Sequence, residues 1–117
     1  MSDFGLEKRI HLRRSWSGKV FFENEFGENV MYLFAKDVSI GGLFLENSPA
    51  LKSGGQLFLN FSLPGNKRPL RMTGQVARFV EHEIGKKKPV QQGAGIRFID
   101  LDPKTLQQLA AFVRGEI

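Results

Sequence analysis

Two short stretches of this sequence carry groups suited to holding a small anionic, purine-bearing molecule. In EKRIHLRRSW, residues 7–16, Arg9 and Arg13 stand four positions apart, with Lys8 and Arg14 beside them. A guanidinium donates two parallel bonds to phosphate oxygens or to guanine O6 and N7, and it also stacks flat on a purine; an ammonium does not do all three. In KDVSIGGLFL, residues 36–45, Asp37, Ser39, Gly41 and Gly42 form a DxSxGG turn between apolar runs. Its carboxylate can accept from the N1–H and N2–H₂ edge of guanine, its hydroxyl can bond a base or a phosphate, and its glycines let a ligand come close. Each stretch also has a plain structural reading. One is a solvated basic leader; the other is a turn in which Asp and Ser bond nearby backbone N–H groups while the glycines take positive φ.

Other chemistry leaves little trace. His11 and His82 are the two histidines, cysteine is absent, and neither histidine has a partner at metal-ligand spacing, so no metal site is expected. No GxSxG nucleophile motif occurs and no acid pair stands in a suitable context, so the protein is not expected to be an enzyme. GAGIRF, residues 93–98, lacks the third glycine and the surrounding βαβ unit of a dinucleotide fingerprint, so its glycines read as barrel packing or close backbone approach. Gly95 and Arg97 within it are secondary candidates for ligand contact, as are Lys8, Arg14 and Gly41.

These groups need a scaffold. At 117 residues, 41% hydrophobic, 25% charged and with eleven phenylalanines, the chain has the composition of one folded domain with a real core. The absence of cysteine fits a cytoplasmic protein. MSDFGLEKRI lacks the apolar region of a signal peptide, and the longest apolar run, Val30–Ala35, is far short of the roughly 20 residues of a span. Neither secretion nor membrane insertion is expected. The formal charge of +5 favours an anionic partner. Lys67 to Lys88 alone holds seven basic residues against Glu81 and Glu83, which accounts for the whole excess.

Short apolar runs separated by Gly, Asn, Ser and Pro predict strands at Trp16–Glu23, Val30–Asp37, Leu43–Glu46, Gln56–Leu63, Leu70–Glu81 and Gly93–Ile99. Gly74 marks a bulge or a corner in the fifth, and HEIGKKKPVQQ reads as a polar loop before the sixth. The fold class is mainly β, and closure of the six strands into an antiparallel barrel removes exposed edges. Then the period changes: Leu106, Leu109, Ala110 and Val113 recur at helical spacing, with Asp102 as N-cap and Pro103 as first residue. The amphipathic helix they form covers a mouth or flank of the barrel. Residues 1–14 read as a flexible basic leader carrying RxxxR, and residues 15–117 as one barrel domain with its helix from about 103.

Arg9-xxx-Arg13 followed by Asp37-x-Ser39-x-x-Gly42 resembles the signature of the PilZ family, bacterial domains that bind the second messenger cyclic di-GMP. The late GxGxxF strand, Gly93 to Phe98, and the DLDPKT turn into a terminal helix are similar as well. The resemblance implies that Arg9 and Arg13 grip phosphate and guanine from the leader, while Asp37, Ser39 and Gly42 hold the opposite side. It implies a ligand, cyclic di-GMP, and no cofactor. Where family members place a further arginine that helps take up a second ligand molecule, this chain has Lys8, which leaves one or two molecules open. Binding should order the leader and signal through a protein partner. The alternatives are a small basic nucleic-acid-binding barrel, or a PilZ-like interaction module without a ligand. Nucleic acid is not the expected partner, because most phenylalanines lie in strand runs where core burial is the plainer explanation.

Overall fold

The structure, a computed structural model, describes residues 12–24, 30–48, 51–66, 68–83 and 90–116. Its strands are β1 (Arg14–Ser15), β2 (Lys19–Asn24), β3 (Met31–Val38), β4 (Gly42–Glu46), β5 (Gln56–Phe61), β6 (Leu70–Glu83) and β7 (Val90–Ile99), followed by helix α1 (Pro103–Val113). The strands are ordered β1-β3-β2-β5-β6-β7-β4, and β4 returns to pair with β3. Six antiparallel strands therefore close into the expected barrel, and β1 is an addition to it. Closure pairs every barrel edge, so backbone polar groups need no cap from outside.

Period-two patterning sets which side of each strand faces in. Along β5, Leu57, Leu59 and Phe61 are buried while Phe58 is exposed, because successive side chains point to opposite faces. The same alternation puts Val20 and Phe22 inside and Phe21 outside in β2. The expectation that phenylalanines serve the core needs correction here. Phe22, Phe61, Phe98 and Phe112 are buried, but Phe21, Phe34 and Phe58 stand outward among the exposed large hydrophobics.

Other boundaries differ from the sequence reading for local reasons. The first expected strand breaks at Trp16–Gly18: the indole turns back over Gly18, where a Cβ would lie 2.0 Å from Trp16 Cζ2. On either side of the break, β1 and β2 line the same edge of β3, with Ser15 opposite Asp37 and Lys19 opposite Phe34. Trp16 N donates to Lys36 O at 3.1 Å, and Ala35 N donates to Gly18 O at 3.0 Å, so the ladder bridges the break. In the stretch read as a loop, β6 and β7 pair as far as Glu83 opposite Val90; residues 84–89, with Lys86–Lys88, lie outside the described residues. Gly74 is not a bulge. A Cβ there would lie 2.5 Å from Ile96 Cγ2 and 2.9 Å from Leu59 Cδ1, so the core fills the space that a side chain would need.

Helix α1 begins as the sequence predicts. Asp102 accepts from Thr105 N at 2.7 Å, with Pro103 following, and this backbone N–H holds the Asp102 carboxyl below its ordinary pKa. Its buried side is turned from the predicted stripe: Thr105, Leu109 and Phe112 face in, whereas Leu106 is exposed. The large ring of Phe112 buries more apolar area than Leu106 can. Phe112 meets Trp16 edge-on with centroids 6.3 Å apart, and Trp16 lies 5.4 Å from Phe61. No helix among the described residues is long and apolar enough to cross a membrane.

Candidate ligand-binding site at one end of the barrel

Antiparallel register gathers the starts of β2, β4 and β6 and the ends of β3, β5 and β7 at a single end of the barrel. The turn from Asp37 to Gly42, the root of the leader and the Phe112 end of α1 all meet there. Arg13 Nη1 donates to Asp37 Oδ1 at 2.7 Å, with side chains 57% and 24% exposed. This contact joins the two sequence motifs across 24 residues.

A bulge decides where Asp37 points. Ala35 pairs with Leu45, but Asp37 pairs with Phe44, which leaves Lys36 as the extra residue. In an unbroken ladder Asp37 would share the inward phase of Ala35 and face the buried Leu43; the bulge gives that phase to Val38, opposite Leu43, and sends Asp37 outward. An ionised carboxylate inside the barrel would be costly without a partner. The bulge removes that cost and presents the carboxylate to solvent.

Ser39 is 1% exposed. Its hydroxyl accepts from Gly41 N at 3.1 Å and Gly42 N at 3.2 Å, and it lies 3.3 Å from Gly42 O, to which it donates. Ser39 N also donates to Gly42 O at 2.8 Å. Its hydroxyl is spent inside the turn, so its direct effect is to shape the loop that follows Asp37. The glycines serve a different purpose from the one the turn pattern predicts, since positive φ among the described glycines falls at Gly54, Gly65 and Gly115. At Gly42 the reason is close approach: a Cβ would sit 2.1 Å from Ile96 O on β7. Gly41 O accepts from Phe98 N at 2.9 Å, which docks the turn against that strand. A Gly42→Ala change cannot relieve this clash by rotating a side chain, so a loss of about 1–3 kcal/mol is expected in chemical denaturation. A neutral result would mean that β4 and β7 separate easily.

The secondary candidates divide. Arg97 stands opposite Gly42 on one side and Gln75 on the other, and its Nη2 donates to Gln75 Oε1. Gly95 lies opposite Phe44 and Arg78. The outward face beside the turn thus reads Asp37, Phe44, Gly95, Arg78 across four strands. Arg14 is directed elsewhere: its Nη1 donates to Phe112 O at 2.7 Å, and its guanidinium lies 4.1 Å from the Phe112 ring centroid. That arrangement ties the leader root to α1. Lys8 and Arg9 lie outside the described residues.

Arg78 is the residue that sequence reasoning overlooked. A second bulge, between Val76 and Arg78, takes it out of the inward phase of buried Val76. Its Cγ comes 3.5 Å and its Nε 3.7 Å from where a Cβ on Gly95 would be, so the glycine makes room for the arginine to lie along the sheet. The sequence signal was a charge in a strand position that should face in. Arg13 pairs with Asp37, while Arg97 and Arg78 are exposed on the same outer face on β7 and β6; guanidiniums and a carboxylate on one face suit an anion that also offers N–H donors. No group of three or more His, Cys, Asp or Glu residues placed to hold a metal occurs among the described residues.

No curated protein matches the sequence significantly. Among solved structures, the fold is similar to the Bacillus subtilis inhibitor of motility MotI/DgrA (TM-score 0.74, 16% identity), covering 91% of this chain and 49% of that one. It is also similar to the PilZ domain, with c-di-GMP, of YcgR from Escherichia coli (TM-score 0.73, 16% identity; 92% and 90% covered). A third likeness is to the PilZ domain of CeSA from a cellulose-synthesizing bacterium (TM-score 0.62, 15% identity; 89% and 96% covered). The chain spans about half the length of the motility inhibitor and nearly all of the YcgR domain. The sequence profile of the PilZ domain matches residues 7–115, which takes in both motifs, the whole barrel and α1, and the chain belongs to the PilZ domain family.

Proposed function

We propose that this protein is a cyclic di-GMP receptor whose ligand lies on the outer wall of the barrel beside the Asp37–Gly42 turn, and which signals through a protein partner. The observation that carries the reading is the 2.7 Å contact between Arg13 and Asp37. It brings a group suited to phosphate and purine to an acceptor suited to a guanine edge, from two motifs that lie 24 residues apart in sequence. The YcgR domain solved with c-di-GMP supports the same ligand. In this reading Arg9 and Arg13 hold phosphate and guanine, Asp37 accepts from a guanine edge, Gly41 and Gly42 allow close approach, and Ser39 keeps the turn closed. Arg97, Gly95 and Arg78 form the floor toward β7 and β6. Residues 1–14 act as an arm that binding orders, and residues 15–117 as the barrel domain; Lys8 bears on whether a second ligand molecule is taken up.

The test is calorimetric titration with cyclic di-GMP. Saturable binding is expected, together with slower amide hydrogen exchange in residues 1–14 in the liganded state. No heat and no change in exchange at high protein concentration would reject the reading. A parallel titration with single-stranded DNA separates a phosphate-only surface, whose affinity falls steeply with salt.

A further inference from the structure

The outside of an antiparallel sheet facing water is ordinarily polar. Three neighbouring strands depart from this. Tyr32 and Phe34 of β3, Phe21 of β2 and Phe58 of β5 all point outward and are between 42% and 48% exposed. Register places Phe21 directly opposite Tyr32, with Asn60 on its other side, so Phe58 is its diagonal neighbour. Phe21 and Tyr32 have ring centroids 5.6 Å apart, and Tyr32 and Phe34 6.0 Å. The rings of Phe21, Tyr32 and Phe34 form one contiguous cluster with Phe58 diagonally beside it, unlike the scattered apolar residues that any surface carries. Helix α1 does not cover it, since it packs at the end of the barrel on Trp16.

The charges around the patch indicate what it fits. Lys19 Nζ lies 4.6 Å from the Tyr32 ring centroid, Lys36 continues the outward phase of β3, and Arg71 stands opposite Asn60 at the Phe21 side. Against these three cations, Glu23 is the acidic residue on this face among the described residues. We infer that this outer face of β3, β2 and β5 is the docking surface for a protein segment that carries carboxylates around aliphatic or aromatic side chains. Apolar anchors would bury against the rings while the carboxylates meet Lys19, Lys36 and Arg71 at the rim. A second copy of this chain fits poorly, because it would set the same cations against one another. Nucleic acid also fits poorly: the rings meet at 49° and 88° and Lys19 occupies one side of Tyr32, so flat open platforms for bases are lacking. The inference rests on the partner half of the proposed function and draws nothing from the nucleotide half. Strand β3 links the two, with Asp37 in the ligand site and Tyr32 and Phe34 in the patch.

The experiment uses the full chain and a fluorescein-labelled synthetic peptide alternating Glu with Leu and Phe, followed by anisotropy. One control peptide has Lys for Glu, and the other has Ser for Leu and Phe. Binding of the acidic apolar peptide is expected to be saturable and at least about tenfold tighter than either control. Tyr32→Ser and Phe21→Ser should each weaken it about tenfold or more, as loss of an aromatic anchor does, and Lys19→Glu should weaken it while leaving the apolar area in place. These positions are exposed, so thermal unfolding and the cyclic di-GMP titration should be unchanged. No preference over the controls, or binding indifferent to all three substitutions, overturns the inference. So does a sedimentation dimer, or binding of single-stranded oligo(dT), that Phe21→Ser abolishes, because the face then belongs to another occupant. Peptide binding without nucleotide binding would uphold this inference and reject the nucleotide reading; the reverse result would do the opposite.

Discussion

Asp37→Ala is expected to weaken cyclic di-GMP binding by about 100-fold or more while leaving the melting temperature almost unchanged. The two halves of that result have separate causes. In the free protein Asp37 has a surface ion pair with Arg13, whose side chain is more than half exposed. Such pairs contribute roughly 0–1 kcal/mol, because water screens them and the side chains lose freedom to form them. Folding therefore loses little. In the proposed complex the carboxylate would accept from two guanine N–H groups, and each hydrogen bond to a charged group contributes on the order of 1.5–3 kcal/mol. Losing two such bonds corresponds to about two decades or more in Kd. Arg13→Ala should cause a loss of similar size, and the double variant should lose less than the two single losses combined, since the two residues are in contact and the proposed site sets both on one ligand. Calorimetric titration gives the affinities and differential scanning calorimetry the stability. An Asp37→Ala protein that binds within about threefold of the parent would reject the proposed role of the carboxylate. A nucleic-acid surface predicts the opposite sign, because removing an acid from a phosphate-binding face helps or does nothing.

The second large effect concerns stability. Phe112→Ala should destabilise the fold by about 3–5 kcal/mol, the usual range for removing a buried phenylalanine. Phe112 is 2% exposed, meets Trp16 edge-on and lies under the Arg14 guanidinium. Truncation leaves a cavity between α1 and the barrel end and takes away the ring that positions Arg14. In a domain of this size the loss corresponds to a fall on the order of 10–20 °C in Tm. Leu106→Ala is the comparison, since Leu106 is exposed on the same helix, and its effect should stay within about 0.5 kcal/mol. If both variants melt together near the parent, α1 does not contribute to the cooperative fold. Because Arg14 adjoins Arg13, Phe112→Ala should also loosen the root of the arm, measured as faster amide exchange at residues 14–16.

Much of this architecture is local and was legible in the chain. Alternation in Gln56–Phe61 marks its inward face because the side-chain period of a strand is two. The start of α1 is equally local: Asp102 can reach Thr105 N and proline suits the first turn. The motif residues were recognisable as types and spacings. Their geometry was not, and neither was the exposure of Phe21, Phe34 and Phe58, since alternation separates two faces without saying which residues the core will accept. Here Val20, Phe22, Leu57, Leu59 and Phe61 filled the inside, and the aromatic set between them was left outward.

The sequence by itself determined the six barrel strands but not all of their ends, the helix and its cap, the barrel class, and the presence of two motifs, one basic and one an acid-hydroxyl-glycine turn. Tertiary structure alone decided which way the decisive side chains point. Alternation would turn Asp37 and Arg78 into the barrel; a single extra residue in each ladder, at Lys36 and at Ala77, turns them out. A bulge is a mismatch between two partner strands, so neither strand's own sequence specifies it. The same holds for the contact between Arg13 and Asp37. It accompanies the pairing of β1 with the edge of β3, where Ser15 stands opposite Asp37, and no local pattern specifies a contact between residues 24 apart in sequence.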